Sequence, residues 1–232
     1  MLFVYLILGV PAAIIGIPWS ALRKNFRAMY GWGMRIATLG VKAAGIRVHV
    51  EGLENIQPGV HYIFLSNHVS NLDPPVLLPS IPGMTSVFLK RELMKIPLLG
   101  TEMRMGMYIP VSRGNSREDA QRSVEAAVHA LNSGLHITVF PEGTRSTDGR
   151  LLPFKKGAFF LAEATGASII PVVISGTERM MPKGTLRISP GEAHVRFLSP
   201  VRPQDAASRE DLIKRVRAAM EAELMRRSVI DS

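Results

Sequence analysis

Two short segments of the chain carry residue types that could do chemistry together. In the first, FLSNHVSNLDPP, His68 and Asp73 are five residues apart, which would place them about 140° apart on a continuous helix. The segment is therefore predicted to be a loop that ends where Asp73 and Pro74 open a helix, because Asp is a good N-cap and Pro is favoured at the first helical position. The carboxylate can then turn back to the imidazole, fix its tautomer and leave the other ring nitrogen as a base.

The second segment, FPEGTRS, follows an apolar run at residues 137–140 that is predicted to be a strand. Gly143 permits close approach of the backbone to a ligand, and the planar guanidinium of Arg145 matches phosphate oxygens. Glu142 is an anion and would repel a phosphate, so it is expected to orient Arg or Lys side chains or to contact substrate hydroxyls. Lys155 and Lys156, in PFKKGA, either add charge to this site or form a solvated helix start.

Together the two segments resemble the glycerolipid acyltransferase family, whose members acylate glycerol-3-phosphate and lysophosphatidic acid. The resemblance covers roughly residues 50–200. It implies that His68 is a general base partnered by Asp73, and that a substrate hydroxyl attacks an acyl thioester directly, without an acyl-enzyme. It also implies that the second segment, at Glu142, Gly143, Thr144 and Arg145, binds the acceptor, with the phosphate on this loop.

Two further blocks fit the family pattern less closely. The family has a second phosphate-binding Arg at the end of a strand, and the segment from Gly106 to Arg113 fits that pattern with one extra residue. Arg113 is therefore predicted to contact the phosphate. The apolar segment around Pro171 resembles the fourth block, but an apolar strand needs no ligand to explain it, and only a structural or acyl-channel role is assigned to Pro171.

The reaction implied by the resemblance is transfer of a fatty-acyl group to the sn-2 hydroxyl of lysophosphatidic acid, giving phosphatidic acid. Glycerol-3-phosphate or another lysolipid is the alternative acceptor, although the short chain favours lysophosphatidate. Acyl-CoA and acyl carrier protein both remain open as donors, and no cofactor or metal is expected. A non-catalytic basic protein that binds membrane or nucleic acid is a second hypothesis. A lipid hydrolase with Ser66 as nucleophile is a third, although no Gly-x-Ser-x-Gly elbow surrounds it.

Composition narrows the class of partner. The 232 residues contain no cysteine, which excludes disulfides, thiolate metal sites and an acyl-Cys intermediate.

Lys and Arg outnumber Asp and Glu by 28 to 19, for a net charge of +9. Such a basic chain fits nucleic acid, anionic lipid or phosphorylated substrates. A basic cluster directly follows the most apolar segment, which favours a membrane surface and no nucleic acid.

The amino-terminal segment has the pattern of a membrane anchor. Residues 1–22 carry no charged side chain and would form a helix about 33 Å long, enough to cross a bilayer core of roughly 30 Å. Pro11, Gly16 and Pro18 make a straight span less certain. A cleaved signal peptide fits poorly, because no Lys or Arg precedes the apolar run.

Residues 19–44 are predicted to form a second, basic amphipathic helix, either lying in an anionic membrane surface or packing on the core. Its basic arc consists of Arg23, Lys24, Arg27, Arg35 and Lys42. The expected location is the membrane, with the active site on the cytoplasmic face of a bacterial inner membrane.

Short apolar runs alternating with helical stretches follow, which predicts an α/β fold. Its mixed central sheet is flanked by helices, as in glycerol-3-phosphate acyltransferases. Residues 1–45 form the predicted two-helix membrane-anchoring segment and residues 46–232 the acyltransferase domain. Pro190-Gly191 predicts a hairpin between residues 185–189 and 193–198. Ser116 with Asp119, and Ser208 with Asp211, predict the starts of two helices. The predicted strands also include residues 46–50, 62–66, 87–90, 107–111 and 169–174.

Overall fold

The computed structural model describes residue 1, residues 4–111 and residues 117–230. Arg113 and Ser116 lie outside the described residues. The chain opens with two helices, α1 (Val10–Arg23), which continues a π-helical turn at Tyr5–Gly9, and α2 (Arg27–Ala43). Lys24 ends α1 in the left-handed conformation, with φ of 49°. The prediction that the second helix begins at residue 19 is therefore wrong, since residues 19–23 belong to α1.

A seven-stranded sheet forms the centre of the described part of the chain. Its order is β1-β7-β6-β2-β5-β3-β4, and only the contact between β6 and β7 is antiparallel. The predicted α/β class with a mixed sheet is confirmed. The strands are β1 (Ile46–Glu51), β2 (Ile63–Ser66), β3 (Thr85–Lys90), β4 (Ile109–Val111), β5 (His136–Val139), β6 (Ile169–Ser175) and β7 (Gly191–Phe197).

The predicted hairpin around Pro190-Gly191 is wrong. Residues 185–189 form no strand, because the backbone N–H of Ser189 returns to the carbonyl of Met180. Gly191 is itself the first residue of β7, where it pairs in parallel with Ile46 of β1. The turn residues thus start a strand rather than joining two.

Helices cover both faces of the sheet and enclose two apolar clusters. One cluster contains Phe159 and Val216, and the other contains Phe64 and Phe197. Ser208 and Asp211 start the last helix as predicted, since each side chain accepts a backbone N–H there. The remaining described α-helices are α3 (Asp73–Leu77), α4 (Leu99–Met105), α5 (Arg117–Asn132), α6 (Gly157–Thr165), α7 (Thr177–Met180) and α8 (Arg209–Ile230). Short 3-10 helices lie at Leu53–Asn55, Leu78–Ser80, Arg91–Lys95 and Pro203–Asp205.

The sheet order brings distant loops to one place. Strand β2 lies between β5 and β6, and the three strands run parallel. Their carboxyl ends therefore meet at the same edge of the sheet. The loops that leave these ends carry residues 67–73, 140–146 and 176–177.

Candidate active site

His68 and Asp73 form a hydrogen-bonded pair at this edge. The imidazole Nδ1 lies 2.7 Å from Oδ2 of Asp73. The Asp73 side chain is completely buried, whereas the His68 side chain is 19% exposed. Since Nδ1 is occupied by the carboxylate, Nε2 is the ring nitrogen left for a substrate proton. The structure brings together the base and the orienting carboxylate that the spacing predicts.

Asp73 does not act as the helix cap that its place before two prolines predicts. It is the first residue of α3, and its carboxylate makes no hydrogen bond to the helix. The Oδ2 atom instead turns back and accepts the backbone N–H groups of Val69 and Ser70, at 2.7 and 2.8 Å. The loop that contains His68 is thus wrapped around the carboxylate that orients it.

The loop of the second motif is fixed to the loop of the base. The backbone N–H of His68 donates to Oε1 of Glu142 at 2.9 Å, and the backbone N–H of Ser146 donates to the carbonyl of His68 at 2.8 Å. The His68 ring also packs on Phe140, with 4.4 Å between the ring centroids. Base and Arg-bearing loop therefore form one rigid unit.

Glu142 is a structural link in this unit. Its second oxygen, Oε2, accepts the backbone N–H of Leu152 at 2.8 Å, and the residue is only 4% exposed. Burial raises the pKa of the Glu142 carboxyl, and the hydrogen bonds from Leu152 and His68 act in the opposite direction. Each oxygen accepts a backbone N–H, so among the described residues Glu142 holds backbone rather than orienting an Arg or Lys side chain by a hydrogen bond. Its contact with a substrate hydroxyl stays a prediction.

Arg145, next to Ser146 in the loop attached to His68, has a side chain without an ion-pair partner among the described residues. Its Nη1 atom is buried and has no hydrogen-bond partner among the described residues. Its backbone carbonyl accepts a hydrogen bond from the ammonium group of Lys183, at 2.9 Å. Thr144 and Gly143 are exposed, and Gly143 has a φ of +69°. An anion placed at this loop would meet a guanidinium that has no competing partner within the described chain.

The two lysines of PFKKGA differ in what they contact. The ammonium of Lys156 is paired with Glu210 at 2.8 Å. The Nζ atom of Lys155 lies over Gly143, 2.7 Å from the position that a Cβ of Gly143 would take. Of these two lysines, Lys155 is the one that adds charge to the Arg145 loop, where Lys183 also lies. Arg113, the other predicted phosphate contact, is not among the described residues.

The sequence reasoning missed three polar residues that hold the base loop. Asn67 exchanges two hydrogen bonds with the backbone of Ile174, at 2.9 and 2.8 Å. The hydroxyl of Ser70 donates to the carbonyl of Met181 at 2.8 Å. The hydroxyl of Thr177 donates to Oδ1 of Asp73 at 2.6 Å. Asn67 and Ser70 stand inside the first motif, but their partners are more than 100 residues away along the chain.

Ser66, the alternative nucleophile, uses its hydroxyl in a hydrogen bond to the backbone. Ser66 is completely buried, and its hydroxyl donates to the carbonyl of Asn67 at 3.0 Å. No hydrogen bond joins it to His68 within the described chain, so the Ser–His contact that a hydrolase needs is not formed. The described residues also contain no group of three or more His, Cys, Asp or Glu side chains that could hold a metal.

Comparison with known proteins agrees with the geometry. The family model described as acyltransferase matches residues 47–175. A 1-acyl-sn-glycerol-3-phosphate acyltransferase of Limnanthes alba is 33% identical, over 83% of this chain and 67% of the relative. The human enzyme named 1-acyl-sn-glycerol-3-phosphate acyltransferase alpha is 34% identical, over 90% of this chain and 74% of its own.

A solved structure extends the similarity to the whole fold. The crystal structure of the 1-acyl-sn-glycerophosphate (LPA) acyltransferase PlsC from Thermotoga maritima superposes with a TM-score of 0.80. The two proteins are 30% identical, and the match covers 98% of this chain and 94% of the other. The resemblance drawn from the two motifs is thus confirmed, and the chain belongs to the acyltransferase family, together with these 1-acyl-sn-glycerol-3-phosphate acyltransferases.

Proposed function

We propose that the protein transfers a fatty-acyl group from a thioester to the free sn-2 hydroxyl of lysophosphatidic acid, giving phosphatidic acid. The observation that carries this proposal is the coupling of the two motif loops, in which the backbone of His68 donates to the Glu142 carboxylate and accepts from the backbone N–H of Ser146. A base and an anion site at a fixed separation suit an acceptor that has both a hydroxyl and a phosphate. The names of the relatives favour the same acceptor.

The chemistry needs one base and no covalent enzyme intermediate. The Nε2 atom of His68 takes the proton of the sn-2 hydroxyl while the hydroxyl oxygen attacks the thioester carbonyl carbon. The tetrahedral intermediate collapses, the C–S bond breaks, and the proton on His68 passes to the departing thiolate. The products are an ester and a free thiol. Asp73 holds the imidazole tautomer and stabilises the imidazolium that forms between the two proton transfers.

Arg145 binds the acceptor phosphate in this proposal. Its guanidinium has no protein partner among the described residues, so binding an anion satisfies a buried donor as well as adding a charge pair. Lys155 adds a second cation at Gly143. Arg113 remains part of the proposed phosphate site. The donor is acyl-CoA or acyl carrier protein, which are both anionic, and the proposal requires no cofactor.

The amino-terminal helices place the site at a membrane in this proposal. The helix at Tyr5–Arg23 is the one described helix that is long and apolar enough to cross a bilayer, and little of it is buried by the protein. Ile15 and Leu22 are 71% and 80% exposed. Basic residues follow this apolar run, which favours the cytoplasmic side for the rest of the chain. A lysolipid acceptor resides in the bilayer, so such an anchor raises its local concentration.

The direct test is a product assay with purified full-length protein on vesicles. Acyl-CoA and acyl carrier protein are supplied in turn as donors. The acceptor is lysophosphatidic acid, glycerol-3-phosphate, an uncharged monoacylglycerol or none. We expect phosphatidic acid with lysophosphatidic acid, and loss of roughly 10²–10⁴-fold of the activity in His68→Ala. Free fatty acid released without an acceptor indicates a hydrolase, and absence of turnover with every donor contradicts the proposal.

The phosphate assignment is tested in the same assay. Arg145→Ala should lower kcat/KM for lysophosphatidic acid by roughly 10–150-fold, because a hydrogen bond to a charged group contributes about 1.5–3 kcal/mol. Activity on monoacylglycerol should change little, since that acceptor has no phosphate. An equal loss on both acceptors means that Arg145 does not bind the phosphate. Arg150→Ala, at an exposed position in the same loop region, is the control.

A further inference from the structure

We infer that Thr177 is a positioning residue for the reaction, acting on His68 through the carboxylate of Asp73. The inference rests on the proposed acyl transfer and goes beyond it, because Thr177 belongs to neither motif. Its hydroxyl donates to Oδ1 of Asp73 at 2.6 Å, and both side chains are completely buried. The two residues are 104 positions apart in the chain.

The two oxygens of Asp73 have different partners. The Oδ2 atom is hydrogen-bonded to Nδ1 of His68 and accepts hydrogen bonds from the backbone N–H groups of Val69 and Ser70. Thr177 is the only hydrogen-bond partner of Oδ1 among the described residues. Without the Thr177 hydroxyl, a buried carboxylate oxygen has no donor, which is costly for an anion. The carboxylate then gains by rotating or by taking a proton, and either change removes the orienting contact from His68.

The fold fixes the position of the Thr177 hydroxyl beside Asp73. Strand β6 lies beside β2, and Asn67 fastens Ile174 of β6 to the start of the base loop. The chain then turns at Gly176, where φ is +91° and a Cβ would lie only 2.2 Å from the carbonyl oxygen of Glu192. Only glycine fits this turn, and the next residue is Thr177.

The same segment also holds the middle of the base loop. The hydroxyl of Ser70 donates to the carbonyl of Met181, one residue beyond α7. Residues 174–181 therefore contact the base loop near its start, at the carboxylate and in its middle. This arrangement fixes the position of Oδ1, so the hydroxyl of Thr177 holds the carboxylate in the rotamer that faces His68. Thr177 touches no reacting atom, and its contribution should be confined to kcat.

The test compares three variants of the full-length protein in the acyl-transfer assay. Thr177→Val keeps the shape of the side chain and removes the hydroxyl, while Thr177→Ser keeps the hydroxyl. Thr138→Val is the matched control, because Thr138 of β5 is also a completely buried threonine whose hydroxyl pairs with another side chain, Thr85. Thermal unfolding is measured for each variant. If Thr177→Val does not fold, Thr177→Ala replaces it. Alanine removes the hydroxyl and puts no methyl group in its place.

We expect kcat of Thr177→Val to fall by at least about tenfold, the order of a lost hydrogen bond to a charged group. KM for lysophosphatidic acid should stay within about twofold. Thr177→Ser should restore most of the rate, and Thr138→Val should lose stability but not kcat. Combining Thr177→Val with Asp73→Asn should add little to the loss in Asp73→Asn alone, because two residues that act through one contact are not additive.

Each other outcome overturns the inference. An unchanged kcat in Thr177→Val, a change confined to KM, or an equal loss in Thr138→Val assigns Thr177 a purely structural role. Full additivity with Asp73→Asn shows that Thr177 does not act through that carboxylate. These outcomes all require an active wild-type protein. An inactive wild type contradicts the proposed function instead, so the two failures are distinguishable.

Discussion

The Oε1 atom of Glu142 accepts the backbone N–H of His68 at 2.9 Å, so a side chain of the Arg-bearing loop holds the backbone of the base. The other oxygen, Oε2, binds the backbone N–H of Leu152 at 2.8 Å. One buried carboxylate therefore joins the base loop, its own loop and the segment that leads to α6. The distance between the base and the anion site depends on this carboxylate remaining an acceptor at both oxygens.

Glu142→Gln tests that link. The amide NH₂ of Gln would face one of the two backbone N–H groups, which leaves a buried donor without an acceptor. We expect a loss of about 1–3 kcal/mol in the free energy of unfolding, together with a lower kcat. Denaturant unfolding and steady-state kinetics measure the two effects. Glu125→Gln is the control, because Glu125 is exposed and, among the described residues, accepts a hydrogen bond from the Gln121 side chain alone. Normal stability and normal kcat in Glu142→Gln would contradict the structural assignment.

Asp73→Asn should separate charge from structure. An Asn oxygen can keep the contacts of Oδ2, and the hydroxyl of Thr177 can rotate to accept from the Asn NH₂ group. The loop should therefore stay folded while the imidazolium loses its counter-charge. We expect kcat to fall by roughly 10²–10⁴-fold with little change in acceptor KM.

Steady-state kinetics with lysophosphatidic acid measure kcat and KM, and thermal unfolding measures whether the fold is intact. Asp205→Asn, at an exposed turn, controls for the loss of one acidic group. A large rise in acceptor KM at constant kcat would mean that Asp73 contacts the substrate rather than the base.

The part of the site that could be predicted from the sequence is the part formed by residues close together in the chain. His68 and Asp73 lie in one short loop, and the resemblance to a family names their roles. The contact from Thr177 to Asp73 could not be predicted, because it depends on β6 lying beside β2 in the sheet. Sheet order is set by long-range packing, and it leaves no short motif in the chain.

Two wrong predictions about elements have different origins, one local and one long-range. Asp73 before two prolines is a good helix cap locally, but two backbone N–H groups of its own loop compete for the carboxylate. Pro190-Gly191 is a good turn locally, but β1 provides a parallel partner for the residues that follow. In the first case a contact within the loop replaces the helix cap, and in the second a long-range strand pairing replaces the turn.

Lys155 and Lys156 provide a matched pair for the acceptor site. Lys155→Ala should raise KM for lysophosphatidic acid roughly fivefold, the equivalent of about 1 kcal/mol for an exposed charge pair. Lys156→Ala should leave that KM unchanged, because its ammonium is paired with Glu210 rather than placed over Gly143. The same two variants assayed on monoacylglycerol should not differ. Equal effects of both substitutions on lysophosphatidic acid would remove Lys155 from the phosphate site.

His136 should make the fold sensitive to acid. Burial lowers the pKa of His136 to about 4, and the charge of His61 acts in the same direction. Its Nδ1 atom accepts the backbone N–H of Tyr62 at 3.1 Å, which requires that nitrogen to be unprotonated. In the unfolded chain the imidazole takes up its proton near pH 6.5. The stability contributed by the neutral ring is therefore present above about pH 6.5 and is lost as the pH falls towards 4.

The expected loss for this single group is at most about 3 kcal/mol, at 1.36 kcal/mol per pKa unit. Urea unfolding at pH 7, 6, 5 and 4 measures it. His136→Asn, whose amide oxygen can replace Nδ1 as the acceptor, should be less stable at pH 7 but show a flatter decline. His129→Asn, at an exposed position of α5, should keep the wild-type slope. An unchanged slope in His136→Asn would contradict the prediction.

The last prediction concerns the membrane and is sharpened by the structure of α2. The hydroxyl of Tyr30 accepts the backbone N–H of Thr85 at 3.2 Å, and Val41 is only 2% exposed. Removing all of residues 1–44 would therefore damage the acyltransferase core. Deleting residues 1–24 removes the apolar helix and leaves these contacts in place. We expect this truncation to lose activity on lysophosphatidic acid in vesicles far more than on a dispersed short-chain acceptor.

Charge reversal tests the basic residues separately. Replacing Arg23, Lys24, Arg27 and Arg35 by Glu should weaken sedimentation with anionic vesicles, since each basic residue near such a surface contributes about 1 kcal/mol. Replacing the exposed residues Arg122, Arg150, Arg187 and Lys214 by Glu changes the net charge equally and should have a smaller effect. Equal losses in the two variants would indicate a general charge effect rather than an oriented surface. Undiminished sedimentation of both the truncated and the first reversed protein would place the membrane contact outside these helices.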